Sequence, residues 1–570
     1  MVLVYKQLTK QMIQNRIFVL LLLVLTMLTS LSFYFVIFSI DGNMAMLNTL
    51  TTLTENQQLY KNALNANASL AYTFFISTVL LTSFVFVMYF YRFYRANKKQ
   101  IGCLKSLGFK DSSVCACFVV FVAVLSLIGA ILGLIGGYFL SDVLIHANAD
   151  TYSVIGLVKK IRLSSLFIGL LVSTAIFCLL TFFCYSFVRG KEPGILIAGN
   201  ESRAGFSFSL RVANRICDMI PTKNKLTLRI ALRKPLSIFL LIVAVMSFSV
   251  CMILGRSLNI SSQKVFDSQT TGHNYEYDTR YSEFQTVPTP ENVIPYLDNK
   301  VRLFVDGHVI EQSATGLYTL NNLYELQNTK GDILSVPKVG EVYINPGLHE
   351  IYGLNIGDRF VADIAGVSHE VTVADIAVNA KSANIYVNAD ELSKALNVPI
   401  GAYNGVLSME KLNDGVATTK DQRINTLNKE AVSNNISAVI NQCIGGLIGA
   451  ILIFLALYAS FGDNTRDMLI LHMMGYRTKH IRKMVIDVYM PIVWTVFFLT
   501  LAPSILLARS IQKSLSISTN DYMPFGTSIS VIVLVFAGLS IIYWLVQMLF
   551  GLGIRRIVAK EEISEFIYAE

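Results

Sequence analysis

Charged side chains are scarce in this sequence. Asp, Glu, Lys and Arg make up 15% of its 570 residues, against about 25% in soluble domains, and the mean hydropathy is +0.53. A soluble globular protein is therefore displaced by a membrane class as the first reading. Cysteine is confined: all eight (Cys103, Cys115, Cys117, Cys178, Cys184, Cys217, Cys251 and Cys443) fall in apolar runs or basic segments. None lies in 255–433, so that long polar stretch is expected to fold without disulfides. A P-loop is missing, since Gly190-Lys191 is followed by Glu192 and Pro193, and no Gly-rich loop is available to cradle ATP. The seven histidines are scattered, without metal spacing or a triad, and solvated surface is the reading for all of them. No cofactor, no metal and no enzymatic activity of the chain's own are expected.

Long apolar runs are what the chain has instead. Eight reach the roughly 20 residues a bilayer requires: 17–40, 70–91, 114–140, 165–188, 236–254, 443–461, 484–507 and 528–552. The first has no small-residue cleavage site after it and reads as a retained span. The seventh contains Asp487 and Pro491. Eight spans leave both termini on one side. With the termini inside, segments 1–16, 92–113, 189–235, 462–483 and 553–570 hold 27 of the 47 Lys+Arg and 10 of the 38 Asp+Glu. The segment 255–433 then lies outside with 14 basic and 22 acidic residues. That asymmetry follows the positive-inside rule and requires no nucleic-acid partner. Basic juxtamembrane segments, 189–235 above all, are expected to rest against anionic membrane lipids.

The spans fall into two sets of four, each running helix, outside segment, three helices. The fold class expected is an α-helical polytopic membrane protein with two four-helix repeats and one α+β extracellular domain between the fifth and sixth spans. The boundaries are 1–197 for the first repeat, with 41–69 as its short outside segment, and 198–234 for a basic linker and interfacial helix. The fifth span is 235–254, the outer domain with stalk helices 255–433, and the last three spans and tail 434–570. Local sequence supports duplication. LTKQMIQNRIFVLLLL enters the first span and LTLRIALRKPLSIFLL the fifth, both as cationic amphipathic turns. KKQIGCLKSLGFKDSSV follows the second span and TRDMLILHMMGYRTKHI the sixth, 367 positions on (475 minus 108). Ile101, Leu104 and Leu107 recur as Met468, Leu471 and Met474 on one helix face. Gly108 recurs as Gly475, a left-handed stop, and Asp111 recurs as Thr478, either of which caps the next helix. The device is a short helix, a glycine stop and a restart into a span.

In 255–433, RFVADI, HEVTVADIAV and ANIYVN alternate as strands do. Short helices are expected near 318–326 and 389–397. TKDQRINTLNKEAVSNNISAVINQ lacks Pro and Gly and reads as a stalk running into the sixth span, with GRSLNISSQKVF as its mate. Gly129, Gly133 and Gly137 form a double GxxxG, and Gly445 and Gly449 lie in the sixth span; such stripes let helices approach, within one bundle in the ordinary case and at a sliding or dimerising interface otherwise. Asp487, near Arg482 and Lys483, reads as a paired structural carboxylate rather than a proton relay.

The two basic segments resemble the cytoplasmic helix of FtsX-like ABC permeases, whose pattern runs basic–Glu–Ile–hydrophobic–x–Leu–x–x–Leu–Gly before further basic residues. GKEPGILIAG at 190–199 resembles the family's segment after the fourth helix, and LHEIYGLNIGDRFVADIAGVSHEVTVADIAV its extracellular core. Gln100 departs from the family's Glu, while Asp467 keeps an acid. The two-repeat layout is more similar to the duplicated Gram-positive permeases than to four-span MacB or FtsX, and it has eight spans where the BceB-type peptide-resistance permeases have ten. The resemblance implies a mechanotransmission system in which a separate cytoplasmic ABC ATPase dimer binds ATP and clamps the helices around 99–108 and 466–475. It implies action on an extracellular peptide, lipopeptide or lipid, by export or antimicrobial-peptide resistance, in a bacterial plasma membrane. The alternative is an ATPase-coupled regulator of an extracellular cell-wall hydrolase. A sensor kinase or accessory extracellular protein is a further partner it implies. A secondary transporter is disfavoured, because the spans lack broken midplane helices.

Overall fold

The computed structural model describes residues 16–50, 52–152, 154, 156–198, 235–287, 292–412, 414–477, 480–481, 483, 487, 489–519 and 522–559. Both amphipathic turns expected before the first and fifth spans lie outside them.

Among the described residues, eight helices are long and apolar enough to cross a membrane. They are α1 (Arg16–Asn48), α2 (Glu55–Ala96), α4 (Asp111–Tyr152), the pair α5 (Leu163–Phe167) and α6 (Ser173–Tyr185) joined by a π turn, α8 (Pro235–Thr270), α11 (Lys420–Met473), α12 (Tyr489–Thr519) and α13 (Ile529–Ala559). Shorter helices are α3 (Lys98–Ser106), α7 (Pro193–Ala198), α9 (Pro346–Tyr352) and α10 (Ala389–Ala395). Most long helices outrun the apolar stretch that specifies them. The expected outside segment 41–69 is largely the ends of α1 and α2, with Thr54 and Gln57 forming a capping box at the start of α2. The π turn has a cause: the Tyr34 hydroxyl donates to the Leu166 carbonyl at 2.7 Å, and a Cβ on Gly169 would strike the Tyr34 ring. The inserted ring widens the helix by one residue.

The seventh span needs correcting. Helix α12 starts at Tyr489, so Asp487 precedes it and Pro491 sits in its first turn, where a missing N–H costs nothing. Asp487 accepts a hydrogen bond at 2.6 Å from the Gln547 amide on α13. Arg482, one expected partner, lies outside the described residues.

The helices pack as two sets in mutual contact. Within the first, α1 lies along α4; within the second, α8 lies along α11. Between them α4 packs on α11 and α2 on α12. The second helix of each set thus meets the third of the other, in both directions.

Between α8 and α11 stands a mixed domain of nine strands: β1 (Tyr277–Gln285), β2 (Ile294–Val305), β3 (His308–Leu317), β4 (Glu341–Ile344), β5 (Arg359–Ile364), β6 (Val367–Ile376), β7 (Asn384–Asn388), β8 (Tyr403–Ser408) and β9 (Val416–Thr419). Their order is β3-β7-β4-β6-β5-β2-β8-β1-β9, and β2 also pairs with β3. Six strands therefore close on themselves as a small barrel. The long β2 allows this by pairing β8 through Ile294–Tyr296 and β5 through Val301–Phe304, while its other edge holds β3. Val301, Leu303, Ile310, Ile344, Ala362 and Val373 fill the interior, as alternating strand residues must in a small barrel.

The expected helix at 389–397 is present as α10, capped by Asn388. The one expected at 318–326 is not. The Asn321 side chain accepts from the Leu323 N–H at 2.9 Å, and that local turn competes with a helix while Tyr324 turns inward. Helix α9 was not anticipated, although Asn345 caps it, Pro346 opens it and Gly353 ends it left-handed.

Candidate coupling site

In the first lever, α2 ends at Ala96 and α3 begins at Lys98. The Asn97 side chain donates back to the Phe93 carbonyl at 2.9 Å. Ile101 is fully buried and Leu104 is packed against the helix core. A Cβ on Gly102 would lie 2.9 Å from Leu196 Cβ, so α7 lies directly across α3. Lys105 Nζ donates to the Lys191 carbonyl at 2.8 Å and pairs with Asp111 at 3.2 Å. Asp111 also accepts from the Tyr185 hydroxyl at 2.9 Å. That carboxylate was expected to cap the restarting helix; the structure has it bracing the lever to α6. Leu107 remains 75% exposed, and Lys99, Gln100, Cys103 and Ser106 share the open side.

The second lever repeats the turn residue for residue. Phe109 N–H donates to the Leu104 carbonyl at 3.2 Å, and Tyr476 N–H to the Leu471 carbonyl at 3.1 Å. Gly108 and Gly475 have φ of 88° and 85°. This is the six-to-one bond of a Schellman stop, which only a left-handed residue permits. Leu471 packs inward while Met474 is 68% exposed, beside exposed Met473 and Tyr476. Val114 and Ile481, again 367 apart (481 minus 114), are both buried where the chain restarts. The backbone of Met468 belongs to α11; its side chain, and Thr478, lie outside the described residues.

The face drawn from periodicity therefore divides. Ile101, Leu104 and Leu471 pack toward the bundle, while Leu107 and Met474 are the exposed members among the described side chains of that face. The repeats also differ. The second lever is no separate helix but the end of α11, 54 residues without a break, or about 81 Å at 1.5 Å per residue. Its other end follows directly on strand β9.

The FtsX-like permease C-terminal family model matches this chain twice, over residues 72–193 and 443–559. Two stretches of the chain, of 122 and 117 residues, are thus each similar to an FtsX-like permease domain. Each match contains one lever with the spans on either side, and neither extends over the nine-stranded domain. No curated protein matches the chain. With eight helices long and apolar enough to cross a membrane among the described residues, the chain has the make-up of a multi-pass membrane protein, and its two matched segments are similar to the membrane domain of FtsX-like permeases.

The glycine stripes of the chain are intramolecular. A Cβ on Gly129 would meet Thr26; on Gly133, Ser30 at 2.8 Å; and on Gly137, Tyr34 at 2.6 Å, all on α1. Gly445 and Gly449 sit as closely on Cys251 and Phe248 of α8, at 2.7 and 2.8 Å.

Sequence reasoning missed the junction where both stalks enter the barrel domain. Strand β1 follows α8 and β9 precedes α11, and they pair antiparallel with Tyr277 opposite Thr419. Arg423 of α11 lies 4.0 Å from the Tyr275 ring centre and donates to the His273 carbonyl at 3.3 Å. His273 was expected at the surface, but it is 1% exposed. Its Nε2 lies 2.9 Å from the Asn379 carbonyl, which requires the proton on that nitrogen. Burial, then the neighbouring Lys381 and Arg423, pull its pKa down to about 3. Nearby, burial raises the Asp278 pKa, but Lys381 at 3.2 Å and the Tyr296 hydroxyl at 2.6 Å outweigh it and hold the carboxyl below its ordinary value. A lone histidine in GHNYEY carries no signal of burial; contacts with Tyr324, Tyr275, Asn379 and Arg423, all but Tyr275 distant in sequence, produce it.

Proposed function

We propose that this chain is the membrane subunit of an ATP-driven mechanotransmission system. A separate cytoplasmic ABC ATPase dimer docks on the two levers, through Leu107 on one and Met473, Met474 and Tyr476 on the other. The termini and levers face the cytoplasm and the barrel domain faces outward, in accord with the Lys/Arg bias of the loops. Four apolar helices separate the levers in sequence, so both end on one side of the membrane. The observation that carries the reading is the unbroken α11, which joins a lever to strand β9. A displacement at Met474 travels along one hydrogen-bonded rod to the barrel domain, and β1–β9 pairing passes it to α8. The 367-residue offset of turn and buried restart, together with the second family match, supports two repeats in one chain, one lever per ATPase subunit.

The substrate is a peptide, lipopeptide or lipid at the outer face. The packed interior of the barrel favours a second reading for that face: a filled barrel holds no cargo inside and works through its surface, as a regulator of an extracellular wall hydrolase would. Wall cleavage and peptide sensitivity in a deletion strain separate the two.

The test of the shared core is co-purification with a cytoplasmic ABC ATPase from the same cell, and stimulation of that ATPase. Leu107→Asp with Met474→Asp should lower stimulation at least tenfold, about 1.4 kcal/mol of coupling, without loss of insertion. Undiminished stimulation in the double variant would reject docking at the levers.

A further inference from the structure

On the barrel side, three consecutive residues of α1 grip an extended segment. Asn43 Oδ1 accepts the Val158 N–H at 2.7 Å and Asp41 accepts the Arg162 N–H at 2.9 Å. Gly42 between them admits the segment so closely that a Cβ would lie 2.9 Å from Lys160 Cβ. Pinned in this way, Val158, Lys160, Ile161 and Arg162 line a cavity of about 420 Å³, open to solvent on one side, against the end of α1. That is the size range of small-ligand sites.

Its lining has two characters. Ala45, Met46, Val158 and Ile161 are apolar, and Lys160 and Arg162 supply two cations. Their neighbour Lys159 is committed, pairing with Asp142 at 2.7 Å and lying 3.7 Å over the Tyr138 ring. Lys160 and Arg162 have no carboxylate partner among the described residues. Asp41 also lines the cavity, its Oδ2 accepting the Arg162 N–H, and two cations against one carboxylate leave the local balance positive. The apolar run of α1 ends at Ile40 and α5 starts at Leu163, which sets this cavity at the level where lipid headgroups begin.

We infer that the cavity binds an amphiphile with a phosphate headgroup, its phosphate held by Lys160 and Arg162 and the start of its apolar portion lying against Ala45, Met46 and Ile161. Guanidinium and ammonium groups suit a phosphate, and an apolar floor suits neither free phosphate nor a sugar. The site is distinct from the levers and requires only that the helices span a bilayer.

The experiment titrates the full-length protein in neutral detergent with dihexanoyl phosphatidic acid by calorimetry. Dihexanoylglycerol and inorganic phosphate are run separately, and ATPase capture is measured on the same samples. The expected result is saturable binding of the phosphatidic acid alone, weakened tenfold or more in Lys160→Ala/Arg162→Ala, retained in Lys159→Ala and in Lys160→Arg/Arg162→Lys. Ala45→Trp, which fills the cavity with both cations in place, should weaken it equally. Undiminished binding to the alanine pair or to Ala45→Trp overturns the assignment. Equal binding of dihexanoylglycerol removes the role of the phosphate, and equal binding of inorganic phosphate makes it a free-anion site. Loss of ATPase capture with binding intact counts against the levers and leaves this site standing.

Discussion

Lowering the pH should loosen the joint between stalks and barrel, and His273 should be the cause. Its pKa falls from 6.5 to about 3, so the neutral ring stabilises the fold above 6.5. Below 6.5 the opened state takes up a proton that the closed state refuses, and stability is lost as pH falls, down to about 3. Between pH 7.5 and pH 5 the loss is about 2 kcal/mol, at up to 1.36 kcal/mol per unit, or roughly a thirtyfold rise in the opening constant. Asp278, held below its ordinary value of 3.8, works in the same direction but only in more acidic solution, so this interval isolates the histidine. Hydrogen exchange of the amides at 271–277 and 416–420 reads the opening constant directly. His273→Gln can still donate to the Asn379 carbonyl and takes up no proton, so its profile should be flat over the interval. A variant with the same acid-dependent opening as the parent would refute the reasoning.

Other outcomes follow from the same geometry. Gly133→Leu, which drives a side chain into Ser30 on α1, should cost about 1–3 kcal/mol by overpacking, whereas Gly136→Leu meets only the flexible end of Leu31 and should cost less; thermal unfolding in detergent ranks them. Gly108→Val and Gly475→Val, at φ of 88° and 85°, should each lose about 1–2 kcal/mol of local stability and lower ATPase stimulation while nothing clashes, and equal activity would detach the stops from coupling. In a cysteine-free background, required because Cys103 and Cys443 are exposed, Lys330→Cys should label from outside and Lys98→Cys only after permeabilisation; the reverse pattern would invert the topology. Replacing 271–419 by a short linker should spare ATPase capture and abolish the activity at the outer face.

What the sequence made legible is what depends on local composition. Eight apolar runs became eight helices because a bilayer demands length and little else, and RFVADI became β5 end to end because its alternation matches the pleat of a strand. The Schellman stops were readable from Gly108 and Gly475 because only glycine tolerates that backbone. The site was half readable. Periodicity put Ile101, Leu104 and Leu107 on one helix face, but one helical face does not say which of its residues meets the bundle, and Leu107 lies on the open side. That was decided by α7 crossing at Gly102 and by the Lys105–Asp111–Tyr185 brace, contacts that join segments about 75 to 95 residues apart. Tertiary contact likewise buried His273, while the local Asn321 turn, with Tyr324 drawn inward, made 318–326 a loop. Helix α9 was a different kind of miss: Asn345-Pro346 and Gly353 mark its ends, yet seven residues carry too little periodicity to stand out beside neighbouring strands.

The transmission itself is tested most directly by breaking α11 without touching either end. A Gly-Gly pair at Val439 and Ile440, beyond the barrel junction and before the packed glycines, should uncouple the two sides: ATPase capture and lever docking persist, and nucleotide no longer changes the distance between probes on β9 and α12. If nucleotide shifts that distance as fully with the helix interrupted as with it whole, the rod carries no motion and the account fails.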